Sequence, residues 1–180
     1  EMCIRDRGGI IKNGEFEFSN VFAGGSGMNS FDKCHPKDFP DVFEIGTSNF
    51  LSQMAMDASI NYILDEGIDN INKHIKLLTK QFYKSISDIP GLKFHSKKPE
   101  GDYSAIVSIN LANMDSAELA LILDEEYGIQ VRPGAHCAPL IHEHFGTEEQ
   151  GIVRFSFSYF NIRDEIDKAS NALKEIANKY

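Results

Sequence analysis

The chain has 180 residues, of which 42% are hydrophobic and 25% charged, a composition typical of a soluble globular protein rather than a disordered or collagen-like one. Its 27 acidic residues outnumber its 18 basic residues, and no stretch concentrates lysine and arginine, so we expect no nucleic-acid partner. The longest apolar runs, such as 119–123, are too short to span a bilayer, and the three scattered cysteines favour a reducing cytoplasm over a disulfide scaffold.

The first seven residues read Glu-Met-Cys-Ile-Arg-Asp-Arg. They lack the basic segment followed by an apolar stretch that defines a signal peptide. We interpret residues 1–7 as a non-native leader, translated from sequencing-adapter read-through at the edge of an assembled fragment. Resequencing of the locus would test this interpretation.

The first half of the chain predicts strands, then a loop, then helices. Alternating residues in 8–22 predict two short strands around an Asn13-Gly14 turn. Glycines and prolines without periodicity predict a long irregular loop over 23–48, and loops of that length are usually functional. Apolar residues at helical spacing over 49–87, interrupted at Gly67, predict two helices.

The second half alternates strands and helices after a Pro90-Gly91 turn. Asp115 and Glu118 form a capping-box pattern that begins a helix ending at Gly128. This order indicates an α+β small domain attached to a piece of a larger α/β unit. The remaining predicted elements are strands at 92–95, 105–109, 129–131 and 153–158, a short helix at 138–145, and a final helix with Asn161 as its N-cap.

Cys137 lies in a setting that favours reactivity. A thiol has an ordinary pKa of about 8.5, and the thiolate is the nucleophile, so a working cysteine needs groups that favour the charged form. Pro139 suits the first turn of a helix, which places Cys137 beside the N-cap at the positive end of the helix dipole. Arg132 and His136 add cationic or potentially cationic groups, and Gly134 permits a tight turn. These residues alone also leave open a buried structural cysteine.

A zinc site is the alternative use of the same segment. Cys137, His142 and His144 are close in sequence, and thiolate plus imidazole suits zinc. The two histidines, however, are spaced to lie on different helix faces, and no second cysteine pair completes a tetrahedral set. We therefore expect no metal site and interpret both histidines as surface or helix-end residues.

Three segments together carry a family resemblance. They are Val-Arg-Pro-Gly-Ala-His-Cys-Ala-Pro-Leu at 131–140, Gly-Ile-Val-Arg-Phe-Ser-Phe at 151–157 and Tyr-Phe-Asn-Ile-Arg-Asp-Glu-Ile-Asp at 159–167. They resemble the C-terminal region of cysteine desulfurases in the class V aminotransferase family. Upstream, 24–27 and 41–49 resemble the family's glycine-rich segment and its Glu-x-Gly-Thr-Pro-Asn motif, so the resemblance covers roughly 8–180.

The resemblance implies the C-terminal small domain of a fold-type I transferase dependent on pyridoxal 5'-phosphate, with a remnant of the large domain. The expected division is a remnant at 8–66, including the cofactor-phosphate loop, and a small domain at 67–180 with the nucleophile loop. The family's cofactor lysine, the aspartate that pairs with the pyridine nitrogen and the residue that stacks on the ring are not matched in this chain. Lys12 lacks the family's His-Lys context. We therefore expect an incomplete enzyme, inactive alone.

The resemblance also implies an activity and its residues. A cysteine desulfurase converts L-cysteine to L-alanine, and Cys137 would receive the sulfur as a persulfide. Arg154 matches the arginine that holds the substrate carboxylate, a role that its planar guanidinium suits, and the alternative is an arginine exposed at a strand end. Gly46 and Thr47 match residues that reach the cofactor phosphate of the neighbouring subunit, which implies a homodimer, and Ser48 replaces the usual proline.

The family further implies a cytoplasmic enzyme of iron-sulfur cluster assembly with a sulfur-acceptor protein as a possible partner. Two alternatives stay open. One is a selenocysteine lyase or another class V enzyme that acts on an amino acid. The other is a non-catalytic sulfur-relay or dimerisation module, which would require the chain to fold alone.

Overall fold

The computed structural model describes residues 13–19, 21–25, 27, 31–47 and 49–180, and the structural statements that follow concern these residues. The chain divides into two compact units, Glu1–Asp65 and Glu66–Tyr180. The assignment of the first to a large-domain remnant and of the second to a small domain stays a prediction.

The first unit is irregular up to its one long helix. The described residues 13–19 form no strand, so the predicted hairpin is wrong for that part, and 8–12 lie outside the described residues. Phe18 makes ring contacts with Phe43, at 4.9 Å between centroids, and with Phe39, and these contacts replace strand pairing. The predicted loop is confirmed for 31–47, where a 3-10 turn at Asp41–Phe43 is the regular structure.

Helix α1 spans Phe50–Glu66 and helix α2 spans Ile68–Ile86. The predicted interruption at Gly67 is confirmed, because this glycine has a φ of 80°, a conformation that ends one helix before the next begins. None of the residues of α1 is buried. Helix α2, in contrast, buries Phe82 and Ile86 completely.

The second unit is built on a three-stranded antiparallel sheet with strand order β1-β2-β3. The strands are β1 (Leu92–Phe94), β2 (Ile106–Leu111) and β3 (Val153–Ser156). Helices α2 and α5 (Arg163–Lys179) pack against each other, and the core lies between them and the sheet. The core includes Leu78, Phe82, Ile86, Val107, Ile109, Leu119, Leu123, Val153, Phe155, Ile166, Leu173 and Ile176.

Helix α3 spans Ser116–Tyr127 and confirms its predicted ends. Asp115 Oδ1 accepts a hydrogen bond of 2.7 Å from the backbone N–H of Ala117, and Gly128 adopts the left-handed conformation at the C-terminus. The short helix α4 spans Pro139–Phe145, close to its prediction.

Two predicted boundaries need correction. Residues 129–131 form no strand, and the chain instead makes an isolated antiparallel bridge one residue later, at Arg132. Asn161 is not the N-cap of α5, because its side-chain oxygen accepts from the N–H of Ser158 at 2.8 Å. The helix begins instead after Ile162, whose N–H donates to Glu165 at 3.0 Å.

Strand β3 positions the candidate site. Val153 and Phe155 point into the core, so Arg154 between them projects from the opposite face of the sheet. Its partner across the ladder is Ser108 of β2. No helix in the described part of the chain is both long and apolar enough to cross a bilayer.

Candidate active site

The segment 132–137 runs beside strand β3. The backbone N–H of Arg132 donates to the carbonyl of Arg154 at 3.2 Å, and the N–H of Arg154 donates back at 2.9 Å. The N–H of Ile152 also donates to the carbonyl of Gly134 at 3.4 Å. These bonds place the two arginines on neighbouring segments and leave the end of the turn, at Cys137, exposed.

The base of the turn is tightly packed. The buried hydroxyl of Ser116 accepts a hydrogen bond of 3.2 Å from the N–H of Gly134. A Cβ at Gly151 would overlap Ser116 Oγ and would lie 3.0 Å from Gly134 Cα. Gly151 also has a φ of 65°, and its carbonyl accepts from the buried amide of Asn110 at 2.8 Å. Glycine is therefore required at 151 for both space and backbone conformation.

Two consecutive residues of the turn are in the left-handed region. His136 has a φ of 53° and Cys137 a φ of 58°, and a non-glycine residue in this region costs about 1–3 kcal/mol. Such strain persists only where surrounding contacts determine the conformation. One of them is a hydrogen bond of 2.8 Å from His136 Nε2–H to the carbonyl of Arg132. Because a carbonyl only accepts, Nε2 must carry the proton, and Nδ1 of the neutral ring remains an acceptor.

The positive charge at Cys137 comes from Arg132. Its Nη2 donates to Cys137 Sγ at 3.4 Å. Burial lowers the pKa of His136, and charge interactions with Arg154, His142 and Arg132 lower it further, although the hydrogen bond to the Arg132 carbonyl opposes them. His136 is therefore mainly neutral at pH 7, which favours Arg132 over His136 as the source of positive charge at Cys137.

The predicted placement of Cys137 beside a helix N-terminus agrees with the fold. Ala138 is the N-cap of α4 and Pro139 is its first residue. The N–H of Ala138 donates to the carbonyl of Ala135 at 2.9 Å, which closes the turn around the cysteine. The interpretation as a buried structural cysteine does not fit, because Cys137 is exposed.

Arg154 lies within β3 and is partly buried, so it is not an arginine exposed at a strand end. Its Nε is buried and has no hydrogen-bond partner among the described residues. A buried N–H of a charged group without a partner is costly, and an anion at this position would satisfy it. The side chain is therefore suited to a carboxylate, the role that the sequence predicted for it.

Gly46 and Thr47 belong to the first unit. Gly46 has a φ of 80°, and nothing lies within 4 Å of a Cβ placed there, while Thr47 is exposed. The N–H of Gly46, however, donates to the carbonyl of Gly25 at 2.9 Å, so this N–H is already engaged. Thr47 is the better phosphate donor of the two in this conformation, and Ser48 lies outside the described residues.

Sequence reasoning missed the role of His142. It is not a surface residue, because it is only 2% exposed and its Nδ1 forms a hydrogen bond of 3.0 Å with the hydroxyl of buried Thr147. The available signal was Gly146 between them, whose left-handed φ ends α4 and turns the chain so that the N–H of Thr147 reaches the carbonyl of His142. His144 is exposed, as expected.

The residues of the zinc alternative make other contacts. Across the part of the chain that the structure describes, no three histidine, cysteine or acidic side chains are grouped so that they could hold a metal ion. His142 bonds to Thr147, whereas Cys137 contacts Arg132.

The family model for class-V aminotransferases matches residues 11–169. The chain belongs to the class-V aminotransferase family. Among curated class-V relatives, a probable cysteine desulfurase of Methanothermobacter thermautotrophicus is 39% identical over 142 residues, which are 78% of this chain and 35% of that protein.

Solved structures share the fold of this class-V chain. The apo structure of a cysteine desulfurase from Thermococcus onnurineus superposes with a TM-score of 0.78 at 24% identity and covers 91% of this chain and 40% of its own. A mutant of the enzyme C-DES, which carries glycine covalently linked to its pyridoxal phosphate cofactor, has a TM-score of 0.59 at 15% identity over 75% of this chain and 31% of its own. The chain thus spans less than half the length of the proteins that it matches.

Proposed function

We propose that this chain is the C-terminal part of a cysteine desulfurase, with residues 8–66 from the large domain, 67–180 as the small domain, and Cys137 as the sulfur acceptor. The observation that carries the proposal is the contact of 3.4 Å between Arg132 Nη2 and the exposed Cys137 Sγ. An adjacent guanidinium favours the thiolate, and exposure lets the thiolate reach a substrate. The named class-V relatives supply the kind of reaction.

The residues present fit the cofactor of such an enzyme in part. Pyridoxal phosphate, when bound, supplies an electron sink for the substrate. The hydroxyl of Thr47 and the open space at Gly46 suit its phosphate, with the N–H of Gly46 available only if the bond to Gly25 is released. The proposal also implies a homodimer, because the family residues that Gly46 and Thr47 match reach the cofactor phosphate of the neighbouring subunit.

Cys137 would act as a thiolate on the sulfur of L-cysteine. A bond forms between Cys137 Sγ and the substrate sulfur as the substrate's carbon–sulfur bond breaks. The electron pair of that bond stays with carbon, which takes up a proton and leaves as alanine. The product is a persulfide on Cys137, poised for transfer to an acceptor such as an iron-sulfur assembly protein in the cytoplasm.

Arg154 would hold the carboxylate of the same substrate. Its unpartnered Nε and planar guanidinium allow two parallel hydrogen bonds to a carboxylate. The backbone bridge between Arg154 and Arg132 would keep this anchor next to the segment that carries the nucleophile. Substrate position and nucleophile position are therefore linked through one short piece of backbone.

The test is Cys137→Ala in the complete enzyme that contains this chain, with Cys34→Ala as the matched control, since both are exposed free cysteines. Sulfide release from L-cysteine is expected to fall by about a hundredfold or more in the first variant, because a covalent nucleophile is lost. Cys34→Ala is expected to keep the parent rate. Sulfide release at the parent rate in Cys137→Ala would contradict the proposal, and comparison of cysteine with selenocysteine turnover would separate a selenocysteine lyase.

A further inference from the structure

The buried pair His142 and Thr147 has no part in the proposed chemistry. Their side chains are 2% and 3% exposed and share a hydrogen bond of 3.0 Å between Nδ1 and Oγ1. The backbone doubles this link, because the N–H of Thr147 donates to the carbonyl of His142 at 3.0 Å. The carbonyl of Thr147 in turn accepts from the N–H of Gly151 at 2.9 Å. The Thr147 hydroxyl therefore holds the imidazole of His142, and the two backbone bonds hold the chain on either side of Thr147.

The fixed imidazole touches the nucleophile turn. The rings of His142 and His136 are 5.8 Å apart between centroids and meet edge to face at 65°. His136 is one of the two left-handed residues of the turn, and it donates to the carbonyl of Arg132. Arg132 in turn donates to Cys137 Sγ. A continuous series of contacts thus joins the Thr147 hydroxyl to the thiol.

We infer that His142, held by Thr147, is a positioning residue for the nucleophile turn. Its buried ring is the surface against which His136 packs, and this packing keeps the Arg132 guanidinium at Cys137 Sγ. The inference deepens the proposed function and rests on it, because the importance of the contact between Arg132 and Cys137 derives from the proposed role of that cysteine.

The charges around the two facing imidazoles are compatible with this role. The titratable groups that act on His136 are Arg132 in its own turn, Arg154 of β3 and His142 of α4. His142 also acts on His95, whose pKa is lowered mainly by burial and further by Lys93 and His142, while the side chain of Asn110 opposes them. Because burial lowers the pKa of His136, its ring is mainly neutral at pH 7 where it meets the ring of His142.

The test measures alkylation of Cys137 by iodoacetamide in the 180-residue chain, read by peptide mass spectrometry. The useful quantity is the ratio of the rate at pH 7 to the rate at about pH 10, where every thiol is largely ionised, because this ratio cancels changes in access. Exposed Cys34 serves as the reference in the same sample. The variant is Thr147→Val, which keeps the shape of the side chain and removes the hydrogen bond to His142.

Thr79→Val is the matched control, because Thr79 is equally buried and its hydroxyl bonds to the Ile75 carbonyl at 2.7 Å within α2. We expect Thr147→Val to lower the ratio at Cys137 by about threefold, the size of effect of one exposed charged contact, and Arg132→Gln to lower it equally. Thr147→Ser is expected to restore the ratio. The ratio at Cys34 and the Thr79→Val chain should stay unchanged.

An unchanged ratio at Cys137 in folded Thr147→Val, with a stability loss like that of Thr79→Val, would overturn the inference and leave the pair a structural one. If Thr147→Val does not fold, His142→Asn replaces it, since its amide can still bond Thr147 but lacks the ring that contacts His136, and the same threefold loss is expected. Alkylation reports geometry whether or not Cys137 accepts sulfur, so failure here is distinguishable from failure of the sulfide assay.

Discussion

Helices α1 and α5 have the same length, 17 residues, and opposite surroundings. Helix α5 buries six residues on one face. Helix α1 buries none, and Leu51 of α1 is 81% exposed. The apolar residues of α5 recur every three to four positions, while those of α1 are spread around its circumference. The comparison shows that the apolar face of an amphipathic helix such as α5 is buried by other elements of the same unit. A helix that is apolar all round needs more partners than the described residues supply.

The largest expected effect separates these two helices directly. Leu173→Ala in α5 is expected to lower the free energy of unfolding by about 3 kcal/mol, because Leu173 is fully buried in the core. Leu51→Ala in α1 is expected to change it by less than about 0.5 kcal/mol. Urea denaturation of the 180-residue chain measures both, and equal losses would show that α1 is enclosed after all.

The same contrast between enclosed and open positions exists among the glycines. Gly151→Ala and Gly101→Ala both place a side chain at a left-handed φ, of 65° and 70°, which costs about 1 kcal/mol each. Only the Cβ at Gly151 would also press on Ser116 and Gly134, whereas Gly101 is surrounded by open space. We expect a loss of about 2–3 kcal/mol for Gly151→Ala. Similar losses for both variants in thermal denaturation would mean that the base of the turn is loosely packed.

The smallest expected change in the free energy of unfolding concerns the N-termini of the two helices. Asn161 and the N–H of Ile162 both donate to Glu165 at 3.0 Å and lower its pKa below the ordinary 4.5, while α1 has no acidic residue in its first turn. A lowered pKa in the folded state stabilises the fold above the unfolded-state pKa, and this contribution is lost as pH falls through the folded value.

Glu165→Ala should therefore cost about 0.5 kcal/mol at pH 7, the low end for an exposed cap, and nothing at about pH 2. Denaturation of both chains at the two pH values provides the measurement. A difference that persists unchanged in acid would assign the loss to something other than the charge of Glu165.

The sequence predicted correctly those helix ends that depend only on residues close by in the chain. Gly67 divides two helices and Asp115 begins a third because backbone conformation and capping act within a few residues. The strand expected at 129–131 was wrong because its pairing depends on β3, more than twenty residues away, and the bridge forms at Arg132. The strand expected after the Asn13-Gly14 turn is absent from the described residues 13–19, where Phe18 packs on Phe39 and Phe43.

The candidate site was predictable to the extent that it is contiguous. Arg132 and Cys137 are five residues apart, and their contact could be anticipated from the turn between them. The supports could not be found in this way. Ser116 bonds to Gly134 across 18 residues, and the burial of His142 depends on how α4 folds onto the residues that follow it. Three-dimensional packing alone reveals them.

Under the proposed function, the left-handed backbone at Cys137 sets stability against activity. At a φ of 58°, glycine would be the preferred residue, because it carries no Cβ penalty of the kind that L residues incur there. The thiol is therefore held at a position where the fold would be more relaxed without it. Glycine would relax this backbone, but it would also remove the thiol that the proposed function requires.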